Sequence, residues 1–249
     1  MIDLIGNTPL IKLKYPSELT GCNIYGKAEF MNPGGSVKDR AALGIIQNAE
    51  EKKLIEPGGT VVEGTFGNTG IALTMINNAR GYKTIIVMPD AASLEKRDIL
   101  RNLGAELRIV EVKPYKDPGN YQHISRRLAE ELQAKGEGSV IWANQFDNTA
   151  NYQFHAKTTA REIYNQLDGK VDGFTCAIGT GGTLAGTSVG LKELNPDIKI
   201  ACTDPQGATM YRYFKDSVLE VTGDPSETEG IGQARVTKNV EACLIDMAY

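Results

Sequence analysis

Histidine and cysteine, two common metal ligands, are scarce in this chain of 249 residues. The two histidines are His123 and His155, and no cluster of ligand side chains is apparent, so a metal site is not expected. The four cysteines are far apart and form no Cys-x-x-Cys pair. They are Cys22, Cys176, Cys202 and Cys243. This spacing favours reduced thiols in a cytosolic protein, with Cys176 and Cys202 packed within apolar strands.

An excess of one charge and a long apolar run are also absent. The chain has 27 basic and 31 acidic residues, a net charge of −4, and no dense run of either sign. Nucleic acid and anionic membranes are therefore not expected as partners. The apolar runs have the length of strands, and Met1 is followed at once by sequence that can fold. We therefore expect no transmembrane span, no signal peptide and a cytoplasmic location.

Apolar strand-like runs alternate with helical patterns along the chain. Strands are predicted at 60–63, 84–88, 107–110, 140–142, 174–178 and 198–202, with a further strand-like run at 243–246. Helices are predicted at 71–79, 94–103, 150–166 and 184–194. This alternation predicts an α/β fold with parallel sheets covered by helices, and a domain boundary near 146–151.

Lys38 follows a turn rich in proline and glycine, at 32–36, that leads directly into a helical pattern. The hydroxyl of Ser36 can cap this helix, which places Lys38 in its first turn. The positive end of the helix and a partly closed pocket would lower the pKa of the amine. The neutral amine is the form that Schiff-base formation requires. A solvated surface lysine is the alternative, as for most lysines.

A second turn, at 64–70, follows a predicted strand and begins a helix. Backbone N–H groups point outward at such a helix start, and Thr65, Asn68 and Thr69 add side-chain donors. This arrangement suits a carboxylate. An ordinary glycine-rich turn between a strand and a helix is the alternative.

A third turn, at 179–183, has the same layout, with three glycines and two hydroxyls. A phosphate monoester fits such a helix N-terminus. A dinucleotide is the weaker alternative: Asp204 lies about 20 residues on, where a ribose-binding acid would be, but Leu184 occupies the place of the third glycine. The nucleophile-elbow pattern around Ser188 is rejected, because Ser188 falls well inside a predicted helix.

One reactive amine and two anion-binding turns are the parts needed to hold a phosphorylated aldehyde and the amino acid attached to it, which points to pyridoxal phosphate. The sequence also resembles the cysteine synthase family of pyridoxal-phosphate enzymes, which includes O-acetylserine sulfhydrylase and its relative cystathionine β-synthase. The matching segments, in order through nearly the whole chain, are Ile5–Leu10, the Lys38 turn, the loop at 67–70, Met88–Pro89, Ser93–Arg97, Asn144–Phe146, His155, Thr158–Thr159, Gly179–Thr183 and Gly230–Gly232.

The resemblance implies fold type II of these enzymes, as in the tryptophan synthase β-subunit, with the cofactor between two three-layer α/β domains. One domain would combine 1–34 with 149–249 and bind the cofactor's phosphate. The other, 35–148, would carry the Schiff-base lysine and the substrate loop. Relatives continue for several tens of residues past the match to Tyr249, so the large domain is expected to be truncated here. A homodimer is also implied, and so is binding of the C-terminal peptide of serine acetyltransferase.

Individual roles follow from the same resemblance. Lys38 would bind the cofactor as a Schiff base and take the α-proton of the substrate, and Asn68 would hydrogen-bond the cofactor's ring hydroxyl. The cofactor's phosphate would be bound by Gly179, Thr180, Gly181, Gly182 and Thr183. The substrate carboxylate would be bound by Thr65, Gly67, Thr69 and Gln145. Gly230 would line the substrate pocket.

The reaction implied by the resemblance is a β-replacement. O-acetyl-L-serine loses acetate, and sulfide adds to the β-carbon to give L-cysteine. Other outcomes stay open: condensation with a larger thiol as in cystathionine β-synthase, dehydration of serine or threonine, or a truncated homologue without catalytic activity.

Three departures from the family's pattern bear on these alternatives. The usual loop reads Glu-Pro-Thr-Ser-Gly-Asn-Thr-Gly, and Gly64 and Phe66 replace its proline and serine. The Phe66 ring would narrow or reshape the pocket, so acetylserine, phosphoserine or another β-substituted amino acid is a candidate donor. The Gly-Gly-Ser turn before Lys38 looks like that of cystathionine β-synthase, without its haem-binding extension or regulatory tail. The late serine that contacts the pyridine nitrogen in relatives lies past the matched segment.

Overall fold

The computed structural model describes residues 1–136, 138–221 and 228–249. The helices are α1 Lys14–Thr20, α2 Lys38–Glu51, α3 Asn68–Arg80, α4 Leu94–Asn102, α5 Tyr121–Lys135, α6 Ala150–Lys157, α7 Thr159–Gln166, α8 Gly182–Leu194 and α9 Met210–Asp216. The strands are β1 Leu10–Lys12, β2 Tyr25–Lys27, β3 Thr60–Gly64, β4 Lys83–Pro89, β5 Glu106–Val110, β6 Val140–Trp142, β7 Gly173–Cys176, β8 Lys199–Cys202 and β9 Met247–Ala248. Short 3₁₀ helices lie at Ile2–Leu4, Glu29–Met31 and Val240–Ala242. None of the helices in these ranges combines the length and apolar character needed to cross a membrane.

Two parallel sheets organise the chain, and each is built from its own stretch of sequence. The first has the strand order β5-β4-β3-β6, and the second has the order β7-β8-β9. Strands β1 and β2 form a separate antiparallel pair. The predicted α/β class with parallel sheets is confirmed. The division into a domain of 1–34 with 149–249 and a domain of 35–148 stays a prediction.

Helices cover both faces of the first sheet, because neighbouring residues of a strand point to opposite faces. Val61 of β3 packs in the core formed with α2 and α3, where it joins Leu73. Val62, the next residue, packs on the other face with Ala129 of α5. The second sheet has a core of its own, which includes Ile200 of β8 and residues of α7 and α8.

Helix α6 contacts both α2 and α8, and so connects the helices of the two sheets. Glycines allow this close approach. A Cβ added to Gly44 of α2 would overlap the side chain of Phe154, and one added to Gly186 of α8 would overlap the carbonyl of Tyr152. The packing of α6 therefore fixes the N-termini of α2 and α8 relative to each other, and with them Lys38 and the turn at 179–183.

Arg40, two residues after Lys38, ties α2 to the N-terminal segment and to α7. Its fully buried guanidinium donates to both carboxylate oxygens of Glu162, at 2.6 and 2.7 Å, and to both of Glu29, at 2.7 and 2.9 Å. Burial acts to raise the pKa of Glu162, but hydrogen bonds from Arg40 and Lys27 outweigh it and lower the pKa to about 2. A charged and fully paired network thus anchors the beginning of α2.

The single helix predicted at 150–166 is two helices, α6 and α7, which meet at Thr158. The hydroxyl of Thr158 donates to the carbonyl of Phe154 at 2.8 Å, the acceptor that its own backbone N–H also uses. Threonine back-bonding of this kind bends helices. The apolar periodicity continues across the break, which is why the sequence predicts one helix.

The strand-like run at 243–246 is not a strand, and β9 begins only at Met247. Side chains supply part of the hydrogen bonding here, beside the backbone bond from the N–H of Asp246 to the carbonyl of Ile200 at 2.9 Å. The N–H of Leu244 donates to the hydroxyl of Ser188 at 3.0 Å, and the carboxylate of Asp246 accepts the N–H of Ile200 at 2.7 Å. These long-range partners cannot be read from the apolar pattern of the run.

Candidate active site

The turn before Lys38 leads directly into a helix, as predicted, but the N-cap residue is Val37 and makes no side-chain cap hydrogen bond. Helix α2 begins at Lys38, whose N–H donates to the hydroxyl of Ser36 at 3.2 Å. Gly35 has a φ of +78°, in the left-handed region that favours glycine. Gly34 has no room for a side chain, because an added Cβ would lie 2.5 Å from Oδ1 of Asp39. The turn is thus fixed by both backbone conformation and packing, and so is the position of Lys38.

The side chain of Lys38 lines a cavity of about 240 Å³. Burial lowers the pKa of its amine, and no carboxylate of the described residues acts to raise it. The residue as a whole is half-buried. Desolvation disfavours a charged amine, so the neutral and nucleophilic form is favoured at this position.

The loop between β3 and α3 forms a second part of the cavity wall. Its lining residues are Thr65, Phe66, Gly67, Asn68 and Thr69. Gly67 has a φ of +153° and donates its N–H to Oγ1 of Thr65 at 3.1 Å. A Cβ added to Gly67 would overlap the side chain of Lys96. The hydroxyl and amide groups predicted to bind an anion therefore share a cavity with the amine of Lys38.

Gln145 connects this loop to the rest of the site. Its Oε1 accepts from the hydroxyl of Thr69 at 2.6 Å. Its carbonyl O accepts from Nδ2 of Asn151 at 2.9 Å and from Nδ2 of Asn239 at 3.0 Å. The same Nδ2 of Asn151 lies 3.1 Å from the hydroxyl oxygen of Thr180. A continuous chain of buried hydrogen bonds therefore runs from Thr69 to Thr180.

Glu63 lies behind Gln145, with only 1% of its surface exposed. Its carboxylate accepts the backbone N–H of Gln145 at 3.3 Å and faces the side-chain Nε2 at 3.5 Å. Burial raises the pKa of Glu63 to about 8, although the N–H groups of Gln145, Gly64 and Asn144 act to lower it. The carboxyl group is thus mostly protonated at neutral pH. The sequence signal for a buried carboxyl group at Glu63 was an acidic residue at the end of an apolar strand.

The turn at 179–183 is held by residues of the C-terminal segment. The carbonyl of Gly179 accepts from Nε2 of Gln233 at 2.9 Å, and the carbonyl of Thr180 accepts from the hydroxyl of Thr237 at 2.7 Å. A Cβ added to Gly179 would overlap the carbonyl of Gly230. The carbonyls of the turn are thus bonded to protein, whereas the N–H groups that begin α8 have no acceptors in a preceding helical turn.

Gly181 and Gly182 occupy positions where no side chain fits. Gly181 has a φ of +90°, and an added Cβ would lie 2.6 Å from Cγ2 of Val240. A Cβ added to Gly182 would overlap the amide of Asn151. Close packing behind the turn therefore sets its conformation.

Most of the predicted site residues meet in one place. The cavity is lined by Lys38, Thr65, Gly67, Asn68, Thr69, Gln145, Gly179, Thr180 and Gly230. Gly181, Gly182 and Thr183 do not form part of this wall. They continue the same turn into α8. Gly181 and Gly182 pack closely against other parts of the protein, because a Cβ added to either would overlap neighbouring atoms.

His155 contacts the turn at 179–183 through Thr183. Its Nε2 lies 3.4 Å from the hydroxyl oxygen of Thr183, and its Nδ1 lies 2.8 Å from that of Thr159. Burial lowers the pKa of His155 to about 3, and the nearby positive charge of Arg40 acts in the same direction. The imidazole is therefore neutral, and its contacts orient the threonine hydroxyls.

The residues weighed for other chemistries do not line the cavity. Oδ2 of Asp204 accepts the N–H of Tyr211 at 3.0 Å, at the start of α9. Ser188 lies inside α8, as predicted, and its buried hydroxyl donates to the carbonyl of Ala185 at 2.8 Å. In the ranges that the structure describes, no three His, Cys, Asp or Glu side chains are grouped so that they could hold a metal ion.

Three polar residues that support the cavity were missed in the sequence: Asn151, Thr237 and Asn239. Asn151 had a weak signal, as a polar residue at the start of a predicted helix. Thr237 and Asn239 belong to a segment without periodic pattern, and their partners are distant. Asn239 donates to the carbonyls of Gln145, at 3.0 Å, and Phe146, at 2.6 Å.

Comparison with known proteins identifies the family. The model of the pyridoxal-phosphate dependent enzymes matches residues 1–247, and the chain belongs to this family. It is 53% identical to cysteine synthase 1 of Neurospora crassa, over 95% of this chain and 62% of the relative. It is 50% identical to cysteine synthase 1 of Emericella nidulans, over 97% of this chain and 64% of the relative. The solved structure of O-ureido-L-serine synthase superposes with a TM-score of 0.86 at 35% identity, covering 99% of this chain and 73% of that one.

These comparisons confirm the resemblance to the cysteine synthase family and the fold that it implies. Pyridoxal phosphate is the cofactor of the family. The chain spans less than two thirds of the length of the two fungal relatives.

The groups that line the cavity fit this cofactor. An amine whose pKa is lowered by burial suits an aldehyde. The turn that contributes Gly179 and Thr180 begins a helix, offers a hydroxyl, and has no space for a side chain at Gly179, as close approach of a phosphate requires.

Gly181→Ala is expected to destabilise the fold and to weaken binding of pyridoxal phosphate, because the added methyl group would meet Val240 at 2.6 Å. Gly104→Ala is the matched control: its φ is +87° against +90°, but no atom lies within 4 Å of an added Cβ. Both variants should lose about 1–2 kcal/mol of stability from the left-handed backbone. The crowded site should lose roughly a further 1–3 kcal/mol. Thermal unfolding and fluorescence titration with pyridoxal phosphate measure both effects, and equal losses would contradict this account.

Glu63→Gln is expected to change how stability depends on pH. Because burial raises the pKa of Glu63 from 4.5 to about 8, the folded protein keeps a proton that the unfolded chain releases between these values. Wild-type stability is therefore reduced as pH rises through this window, whereas an uncharged glutamine has no such loss. The Tm of the variant minus that of the wild type should grow from roughly pH 5 to pH 8. A constant difference would show that Glu63 ionises normally.

Proposed function

We propose that this protein catalyses a β-replacement, forming L-cysteine and acetate from O-acetyl-L-serine and sulfide. The observation that carries the proposal is one cavity lined by Lys38, the Thr65–Thr69 loop and the Gly179–Thr180 turn. The names of the two fungal relatives point to the same reaction. Because the chain spans less than two thirds of those relatives, activity of this polypeptide is itself part of the proposal.

In this proposal Lys38 would hold the cofactor through its Nζ, which would replace the aldehyde oxygen with release of water. The N–H groups and hydroxyls of the turn at 179–183 bind the phosphate, and Asn68 hydrogen-bonds the ring hydroxyl. When bound, pyridoxal phosphate delocalises the charge left on the α-carbon of the amino acid. Acetate would leave the β-carbon with the electron pair of the C–O bond, and the sulfur of sulfide would bond to the same carbon. The α-carbon would regain a proton, so that O-acetylserine and hydrogen sulfide give cysteine, acetate and one released proton.

Lys38 is the base that takes the α-proton, because the other titratable side chains of the described lining are unsuited. Lys96 and Glu229 pair with each other at 2.6 Å. Burial raises the pKa of Tyr121 to about 12, so its phenol keeps its proton. Only a neutral amine accepts a proton, and burial lowers the pKa of Lys38 in the required direction.

The substrate carboxylate would be bound by Thr65, Gly67, Thr69 and Gln145. Thr69 and Gln145 are already joined at 2.6 Å, so the loop and the end of β6 would hold the carboxylate as one unit. Gly230 lines the same cavity from the C-terminal segment. Binding of this kind would orient the bond between the α-carbon and its hydrogen toward Lys38 and restrict access of water.

We also propose that the protein is a cytoplasmic homodimer that binds the C-terminal peptide of serine acetyltransferase. A peptide carboxylate would use the same donors as the substrate. Large apolar side chains of the N-terminal segment are highly exposed, among them Tyr15, Leu19 and Phe30, which supports a partner on that surface. The free cysteines agree with a reducing compartment.

Lys38→Ala is expected to abolish the visible absorption that pyridoxal phosphate gives in the wild type and to lower cysteine formation by about 10²–10⁴-fold. The test is a spectral titration of the purified chain with pyridoxal phosphate, then O-acetylserine, then sulfide. Lys14→Ala is the control, because Lys14 is exposed and pairs only weakly with Glu18, at 4.0 Å. A wild-type spectrum that does not respond to O-acetylserine would contradict the proposal. Release of ammonia and a keto acid without sulfide would favour dehydration instead.

A further inference from the structure

Phe66 departs from the usual loop, and its ring is held on two sides. One side packs on the core that contains Ile86 and Leu100. The other meets the ring of Tyr121 edge-on, with the centroids 5.4 Å apart and the planes at 86°. Both rings line the cavity beside Lys38. The Phe66 ring therefore cannot turn away from the cavity without losing contacts on both sides.

Gly64, a second departure from the usual loop, allows this aromatic pair to form. A Cβ added to Gly64 would lie 2.8 Å from the carbonyl O of Tyr121, 2.8 Å from Oγ of Ser125, and 3.1 Å from Cδ2 of the Tyr121 ring. A proline would not fit at this position. The two departures thus act together. Gly64 leaves room for the first turn of α5 to pack closely, and Phe66 packs against the ring of Tyr121 in that turn.

We propose that Phe66 and Tyr121 form an aromatic wall that limits the size of the sulfur nucleophile to sulfide and the smallest thiols. The inference rests on the proposed β-replacement and names its acceptor class. In that reaction a thiol R–SH loses its proton, its sulfur bonds to the β-carbon, and acetate leaves with the electron pair of the broken C–O bond. The group R must then fit beside the two rings, in a cavity of about 240 Å³ that also holds the amino-acid substrate.

The low polarity of the aromatic wall favours the same acceptors, sulfide and the smallest thiols. The wall is apolar apart from the Tyr121 hydroxyl, which accepts from Nε2 of Gln122 at 3.2 Å. The charges of Lys96 and Glu229 nearby neutralise each other at 2.6 Å. An amino-acid thiol would bring a carboxylate and an ammonium group against these rings, where both would lose hydration and neither ring offers a charged partner.

The experiment compares acceptors in the purified chain loaded with pyridoxal phosphate. Wild type, Phe66→Ala and Phe66→Leu receive O-acetylserine with sulfide, methanethiol or L-homocysteine, and the rate of thioether or thiol product is measured. Phe66→Leu keeps most of the packing in case the alanine variant folds poorly. Phe214→Ala is the matched control: Phe214 also forms an edge-on pair, with Tyr213 at 5.1 Å, but does not line the cavity.

Phe66→Ala is expected to raise the ratio of the homocysteine rate to the sulfide rate by about tenfold or more, with Phe66→Leu intermediate and Phe214→Ala unchanged. The spectral response to O-acetylserine, which reports the donor step, should persist in every variant. A normal donor response with unchanged acceptor ratios in both Phe66 variants would overturn the aromatic wall alone. Absence of any donor response in the wild type would overturn the proposed function, and this inference with it.

Discussion

One chain of buried hydrogen bonds joins two loops that line the cavity. It runs from the hydroxyl of Thr69 to the side chain of Gln145, then from the Gln145 carbonyl through Asn151 to Thr180. Its ends belong to the two loops on which the anion-binding groups lie. Asn239 donates to the same Gln145 carbonyl, so the C-terminal segment stabilises the junction. A buried polar group that loses its partner is costly, and this couples the geometry of the two loops more strongly than apolar contact would.

Burial has opposite consequences for two basic residues of helix α2. Arg40 is fully buried, but Glu29 and Glu162 pair with it, so its charge is retained and the helix is anchored. Lys38 has no carboxylate among the described residues that acts to raise its pKa, so desolvation favours its neutral form. One network fixes the position of the helix, and the absence of such a network two residues earlier leaves the amine reactive. The aromatic pair of Phe66 and Tyr121 lines the cavity that this amine also lines.

The sequence predicted what local signals determine. Helix starts such as that at Lys38, the glycine-rich turns and the strand alternation are encoded by neighbouring residues, and the structure has them where they were expected. Contacts between distant residues could not be predicted. Asn239 reaches Gln145 across 94 positions. The raised pKa of Glu63 depends on how deeply β3 is buried, and the helix break at Thr158 arises from a side-chain hydrogen bond within a continuous apolar pattern.

The central claim is that the amine of Lys38 and the turn at Gly179 and Thr180 face one cavity that holds pyridoxal phosphate. Reduction of the loaded protein with borohydride, followed by peptide mapping in a mass spectrometer, tests it most directly. The account predicts one pyridoxyl group per chain, on Nζ of Lys38. Attachment to another lysine, or to none, would contradict it.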